Sequence, residues 1–486
     1  MACRHSAVDV AGGCGTDVMR ITTVSIAGMG RSACRVWDWA VERPVLAVVV
    51  VSATARLAIA LVLNLFDIWS LAPDAGQYLA IAEANADGRL AGFWNGYGLS
   101  LYQTTRSFSG QLWILFELFG PYRLLGQLLA VIYGVLTAGL TVCLALRLLR
   151  PAFALLAGMI VAFLPSQVMF SSVTLRESLV WALLAAVAVI YSRLGPRTSR
   201  SSIVIGVAGL AVLFYLLATV RGQTAIVALW CMTFALVAVR GHRLLRCGSA
   251  AVLLLVVPLF IGYSPGGVTY LMKAANRLGT VRTYMAMSAD TAINELEPLY
   301  SQAGVGDVDQ AGVGDLDQAG VSSGGVGDDT HLAVIDRSAY PDPDGRQKFV
   351  IDKGGRAVVV HNELPANLRV LPKGLLAVTL RPAPWEAARS RKFQVAGFEN
   401  IVWLPLFVFA GVGAWVRRRD VHVVAFPASL VISLTLAAAV TQGNLGTAFR
   451  HRGQVLWVLA ILAVAAVQHI RDRSMVGPVN GKSGTP

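Results

Sequence analysis

Four groups of charged side chains interrupt an otherwise apolar chain, and together they hold the residue types that phosphate chemistry needs. The first is Asp74, with Tyr78 one helical turn later, in Leu71-Ala-Pro-Asp-Ala-Gly-Gln-Tyr78. The second is Arg176-Glu177, which closes Pro165-Ser-Gln-Val-Met-Phe-Ser-Ser-Val-Thr-Leu-Arg-Glu177. The third is Arg221, alone in Val220-Arg-Gly-Gln223, and the fourth is Arg450-His451-Arg452, in Asn444-Leu-Gly-Thr-Ala-Phe-Arg-His-Arg452. A carboxylate can take a proton from a hydroxyl or ligate a divalent cation such as Mg or Mn. A guanidinium offers phosphate a planar fork of charge-assisted hydrogen bonds. Acid and arginines together suit a site where a phosphate or diphosphate departs, the acid activating the acceptor and the arginines steadying the leaving group.

Each piece also has a plain structural reading. Asp74 after Pro73 suits a helix cap, and Arg176-Glu177 a local ion pair or an acid matched to a helix dipole. Arg221 can snorkel to headgroups and Arg450 and Arg452 can anchor lipid. Arg56, inside the first apolar run, must snorkel or find a partner in a helix bundle.

The elements that would position these groups are membrane helices. The 486 residues are 55% apolar and 14% charged, with a mean hydropathy of +0.61, which points to an all-α polytopic membrane protein. A hydrocarbon core about 30 Å thick takes roughly 20 helical residues per crossing. Ten candidate spans result: 45–66, 124–146, 152–170, 178–192, 203–220, 224–239, 248–263, 400–416, 421–441 and 454–470.

Basic residues near span ends favour the cytoplasmic side. With both termini cytoplasmic, Arg31, Arg35, Arg43, Arg147, Arg150, Arg193, Arg197, Arg200, Arg240, Arg243, Arg246, Arg417 to Arg419, Arg471, Arg473 and Lys482 share one face. The four charged groups fall on the other. The net charge of +13 then reads as a topology signal with attraction to anionic lipid, and not as a nucleic-acid footprint. The cysteines suggest no disulfide framework, and the seven histidines include no metal-binding helical pair.

Residues 1–43 read as a disordered cytoplasmic tail without the apolar core of a signal peptide, with Trp37 and Trp39 as interfacial anchors. A membrane domain over 44–263 contains a long external loop, 67–123, whose segment 111–120 suits an interfacial helix. A second external region, 264–399, opens with an expected helix over 267–288 and continues into an acidic, low-complexity insertion over 290–344. There an eight-residue unit recurs from Gln302, Gln310 and Gln318, and the stretch has too little apolar content to fold alone. Leu364, Leu368, Leu371 and Leu375 line one helical face, which Pro372 is expected to split into two short pieces packed on the outer membrane surface. A second membrane domain, 400–470, and a cytoplasmic tail, 471–486, complete the chain.

The Pro-Asp-Ala-x-x-Tyr around Asp74, the Pro-Ser…Ser-Ser-x-x-Leu-Arg-Glu link and the Asn-x-Gly-Thr-x-x-Arg-x-Arg before the last span resemble C-type (GT-C) membrane glycosyltransferases. The nearest group is that of protein mannosyltransferases, aminoarabinose transferases and lipopolysaccharide-core transferases. The resemblance implies an inverting enzyme of the plasma or inner membrane that takes a sugar from a polyprenyl-phosphate-linked donor on the outer face and passes it to an external glycan, lipid or protein. Asp74 and Glu177 match its catalytic acids. Tyr78, Arg176, Arg221, Arg450, His451 and Arg452 would bind substrate. No cofactor is required by this reading, and a divalent cation is the one candidate. The acidic repeat is not a family feature. Two alternatives stand beside it: a polysaccharide polymerase or ligase using polyprenyl-diphosphate substrates, and a flippase or transporter of lipid-linked sugars, although the chain lacks the internal repeats common in transporters.

Overall fold

A computed structural model describes residues 31–66, 73–88, 97–194, 198–238, 243–260, 262–275, 278, 348–351, 357–360, 364–385, 391–441 and 445–475. The acidic insertion, most of the helix expected over 267–288, and both extreme termini lie outside them. The described chain is a helical bundle. Its elements are α1 (Arg31–Glu42), α2 (Pro44–Leu65), α3 (Pro73–Ala86), α4 (Tyr97–Phe119), α5 (Arg123–Ala145), α6 (Pro151–Phe163), α7 (Pro165–Phe170) and α8 (Glu177–Arg193). There follow α9 (Arg200–Ala238), α10 (Arg243–Phe260), α11 (Val268–Ala275), α12 (Leu364–Leu380), α13 (Arg391–Val416), α14 (Val421–Thr441) and α15 (Leu445–Met475). Strands β1 (Lys348–Ile351) and β2 (Ala357–Val360) pair antiparallel and are the one departure, among the described residues, from the helical class expected.

Among the described residues, seven helices are long and apolar enough to cross a membrane: α2, α5, α9, α10, α13, α14 and α15. The chain is thus a multi-pass membrane protein, and this count does not reach the ten crossings expected. Two expected spans are shorter helices, α8 and the pair α6–α7, where the chain breaks at Leu164 before Pro165. Two more are joined in α9, whose 39 residues would extend about 58 Å if straight.

That helix is not straight. Arg221 has non-helical dihedrals, φ −157° and ψ 83°, and the packing shows a reversal there. A Cβ on Gly206 would meet Leu194 and Ile190, in the last turn of α8 and just beyond it, whereas Arg221 lies 3.8 Å from Glu177, the first residue of α8. By Ala235, whose carbonyl accepts from the Tyr191 hydroxyl at 3.4 Å, the chain is back beside the last turn. The arms before and after Arg221 therefore run antiparallel along the same neighbour.

Of these seven, α15 is the most enclosed, with 83% of its apolar window buried against 28% for α2. Small residues let backbones close on it, as expected where helices associate by packing in lipid. A methyl group on Gly413 of α13 would overlap the carbonyl of Leu462 of α15, and one on Gly374 of α12 would overlap that of Ala439 of α14. On α2 and α13 the outward faces carry rows of exposed Leu, Ile, Val and Phe, including Leu57, Leu61, Leu65, Ile401, Val408 and Val412, which suits contact with lipid.

Three further expectations are corrected. Residues 31–42, expected in a disordered tail, form α1, because Ala40 and Val41 pack on the core while Trp37 and Trp39 stay exposed. The interfacial segment 111–120 is the end of a longer helix, α4, anchored by Arg106 on Tyr215 and by Ser107 on Thr219 of α9. Pro372 does not split α12, which is continuous from Leu364 to Leu380 and docks along α14, burying Ala377 and Val378 with Ala438 and Ala448. A proline removes one amide donor and crowds one carbonyl, and packed neighbours in a membrane bundle tolerate both.

Helix breaks inside an apolar bundle leave carbonyls without amide partners, and arginines fill the gaps. Arg56 of α2 is fully buried and donates to the carbonyls of Val161 and Ala162, at the end of α6, at 3.1 and 3.0 Å. It also donates to the hydroxyls of Ser52 and Ser171. Gly134 of α5 leaves room for it, since a Cβ there would stand 2.7 Å from the guanidinium. On the other side of the break, the Glu399 carboxylate accepts from the amide and hydroxyl of Ser166, in the first turn of α7, where a negative charge meets the positive helix end. Arg56→Met is expected to cost about 1–3 kcal/mol by orphaning those carbonyls, read as a lower unfolding midpoint in detergent. Arg56→Lys, which keeps the charge but not the fork, should recover part of the loss, and an unchanged midpoint for the methionine variant would show that the carbonyls find other donors.

Candidate functional site

The reversal at Arg221 places a guanidinium at the end of the bundle where α8 begins, opposite the end that gathers the basic residues. That basic end is marked by the Arg150–Asp472 ion pair at 3.2 Å, by Arg471 over the Phe153 ring, and by Arg417 beside Asp420. The Arg221 end is built differently. Between α7 and α8 the chain leaves helical geometry for Ser171–Arg176, and its side chains from Ser171 to Leu175 are buried. This segment, which links two of the expected spans, is enclosed, because Gly126 and Gly134 of α5 present no side chains where Thr174 and Ser171 press against them.

Arg176 donates to the carbonyl of Val220 at 3.1 Å, capping the first arm of α9 just before the turn. Glu177, 4% exposed, opens α8 and pairs with Arg221. Arg221 also donates to Nε2 of His451 at 2.6 Å. Guanidinium has no acceptor atom, so Nε2 must accept, which puts the ring proton on Nδ1 and keeps His451 neutral in this arrangement. Arg176, Tyr78 and Arg450 are all within electrostatic reach of Arg221. Arg450 in turn lies 5.8 Å from the Phe170 ring. One turn deeper, the Thr224 hydroxyl and the Gln454 amide oxygen are 3.3 Å apart.

Tyr78 reaches this cluster from α3. It is 3% exposed and meets Phe108 of α4 edge-on at 5.7 Å. Asp74 is the second residue of the same helix, in its first turn and one turn before Tyr78; its side chain lies outside the described residues. The structure thus gathers Tyr78, Arg176, Glu177, Arg221, Arg450 and His451, which come from two of the four groups in full and two in part.

Arg452 is not with them. Its guanidinium turns to the other face of α15 and donates to the carbonyls of Ala377, Val378 and Arg381 and to Oδ1 of Asn400. It closes the end of α12, where Pro382 supplies no amide, as Arg56 closes the end of α6. Its donors are committed to that scaffold, and it is 2% exposed.

Two residues not singled out in the sequence adjoin the cluster. Tyr263, just beyond α10, lies against Gly222, with its hydroxyl 2.8 Å from where a Cβ would stand; burial pushes the pKa of its phenol up. Trp181, one turn after Glu177, is fully buried. Neither carries a motif that marks it among the chain's many aromatic residues.

Among the described residues, Arg221 has two more guanidiniums, Arg176 and Arg450, and one carboxylate, Glu177, within electrostatic reach, in surroundings that screen little. Such a cluster repels a divalent cation and attracts an anion. Among the described residues no three of His, Cys, Asp and Glu gather as metal ligands. Glu177→Gln and Arg221→Gln should each lower stability, and the double variant should be more stable than the summed single losses by about 1–3 kcal/mol. Unfolding midpoints of the three variants measure this, and strict additivity would mean that the pair carries no coupling.

No protein-family model, curated protein or solved structure matches the chain.

Proposed function

We propose that the chain is a glycosyltransferase of the plasma or inner membrane that moves a sugar from a polyprenyl-phosphate donor to an external glycan, lipid or protein. The observation that carries this reading is the gathering of Arg176 and Arg450 around Arg221, which pairs with the buried Glu177 carboxylate, at the end of the bundle opposite the basic end. If the termini are cytoplasmic, as the distribution of arginines favours, that end faces outward, where a carrier lipid would present its phosphate to guanidiniums already in place.

In the proposed reaction the acceptor hydroxyl attacks the anomeric carbon and its proton passes to the Asp74 carboxylate. The bond from that carbon to the phosphate oxygen breaks, the electron pair leaves with the polyprenyl phosphate, and Arg221, Arg176 and Arg450 hold the added charge. The anomeric centre inverts. Glu177 holds Arg221 in position, and His451 fixes the guanidinium from the other side. Preset dipoles and charges of this kind need no rearrangement as the leaving group forms. The excess of positive charge also suits a diphosphate, which keeps a polymerase or ligase acting on polyprenyl-diphosphate substrates as the second reading.

Asp74→Asn should reduce release of polyprenyl phosphate from a polyprenyl-phosphate sugar by about 10²-fold or more while leaving membrane insertion intact; full activity in that variant removes the assignment. Arg221→Gln should weaken binding of bare polyprenyl phosphate by about 10- to 100-fold, the loss of a hydrogen bond to a charged group, in an equilibrium titration of the reconstituted protein. An unchanged affinity would place the phosphate elsewhere.

A further inference from the structure

On the outward face of the first arm of α9, apolar side chains recur at helical spacing. Val204, Ala208 and Val212 are exposed, with Ile205 beside them, and the next position on that face is the exposed Tyr215. Positions three and four apart line one side of a helix. From Val204 to Tyr215 the strip rises about 16 Å, roughly half the thickness of a hydrocarbon core. It leads from the basic end of the bundle towards the tip at Arg221, and its composition suits contact with lipid chains.

At the outer end of the strip the chemistry changes. Arg106 of α4, itself exposed, donates to the Tyr215 hydroxyl at 2.8 Å. A guanidinium has five N–H donors, of which this bond uses one, and the phenol that accepts it keeps its own proton to give. Among the described residues no carboxylate pairs with Arg106. A cation beside lipid is costly unless an anion meets it, and the surroundings specify that anion. The fork and the phenol suit the oxygens of a phosphate. The apolar strip below them suits a long chain attached to it, which a soluble anion lacks. The place also adjoins the arginine cluster. Ser107, next along α4, bonds the hydroxyl of Thr219, and the carbonyl of Val220 accepts from Arg176. Tyr215 precedes Arg221 by six residues, about 9 Å along the arm.

We propose that Arg106 and Tyr215, with the apolar strip below them, form a docking station for the carrier lipid on the outside of the bundle, where the donor arrives from the bilayer and spent polyprenyl phosphate returns to it. This rests on the glycosyltransferase reading above. The isoprenoid chain stays in the bilayer along α9, with its phosphate at Arg106. Only the head group then has to move inward to reach Arg221. Arg106 binds the carrier and takes no part in breaking the sugar–phosphate bond.

The test uses the full chain in phosphatidylcholine nanodiscs and decaprenyl phosphate carrying a photoreactive diazirine in its chain, with the labelled residues read by mass spectrometry after illumination. Native protein should take label on α9 between Val204 and Val212, displaced by excess decaprenyl phosphate and not by an equal excess of phosphatidylglycerol. Arg106→Gln should lower that label about tenfold or more, as the loss of a hydrogen bond to a charged group would, and Arg106→Lys should keep more of it. Arg221→Gln, which acts on the inner site, should leave it unchanged. Arg106 and Ser107 both anchor α4, so Ser107→Ala controls for a loosened helix and should also leave the label unchanged. A loss in Ser107→Ala equal to that in Arg106→Gln would assign Arg106 to anchoring, and an equal loss in Arg221→Gln would leave no separate station. Displacement by phosphatidylglycerol would make the strip an ordinary anionic-lipid contact. Each of these results overturns the station, as does full label in Arg106→Gln or native protein without displaceable label on α9, and the transferase reading then stands on the Arg221 titration. Should decaprenyl phosphate fail to bind native protein anywhere, the transferase reading falls and the station with it.

Discussion

Backbone carbonyls freed by broken helices, in surroundings without bulk water, are the constraint on which this bundle depends. An unpaired carbonyl in an apolar interior costs enough that a spanning protein must supply a donor from elsewhere. Here the donors are arginines. Arg56 serves the end of α6, Arg452 the end of α12, and Arg176 the end of the first arm of α9. Each brings a positive charge to the negative end of a helix, so dipole and hydrogen bond act together. The fork of a guanidinium reaches two carbonyls at once, which an ammonium does less well. Because the breaks are sealed, the chain can bend where the site needs it to bend: at Leu164, at Ser171–Arg176 and at Arg221.

Much of this was legible in the sequence, and what was not has physical causes. Apolar runs bounded by arginines placed most helices within a few residues, since hydropathy and charge are summed over long windows and tolerate local irregularity. The single arginine at 221 marked a turn for the same reason. Pro372 misled because proline weakens an isolated helix, whereas α12 is held along α14 by close packing at Gly374. Arg452 misled because sequence spacing cannot say which way a side chain points. It stands two residues from Arg450, about 200° around a helix, so the pair cannot share one site. The enclosure of Ser171–Arg176 depends on the absence of side chains at Gly126 and Gly134, more than thirty residues away, and no local pattern reveals it.

The two ends of the bundle use the same residue type for opposite purposes. At one end Arg150 and Arg418 are exposed, paired with Asp472 or stacked on Trp415, where solvent screens them and their energetic worth is small. At the other Arg221 is enclosed beside Glu177, and each unit of charge weighs several times more. A reader counting arginines sees one composition; the difference lies in burial. The neutral His451 belongs to that economy. By accepting from Arg221 it adds a fixed dipole without adding to the positive charge already crowded there.

The doubling back of α9 also bears on how the chain is assembled. A single arginine in the middle of a straight apolar helix would sit at the depth where biological insertion is least favourable, at a cost of about 2.5–3.5 kcal/mol. At the tip of a hairpin it rides near the edge, so both arms can enter the bilayer as one unit. Because α8 is synthesised first, Glu177 is already waiting when the tip arrives. The carboxylate is then a docking partner for the incoming guanidinium, and biogenesis would assemble this charge cluster in the order in which the ribosome makes it.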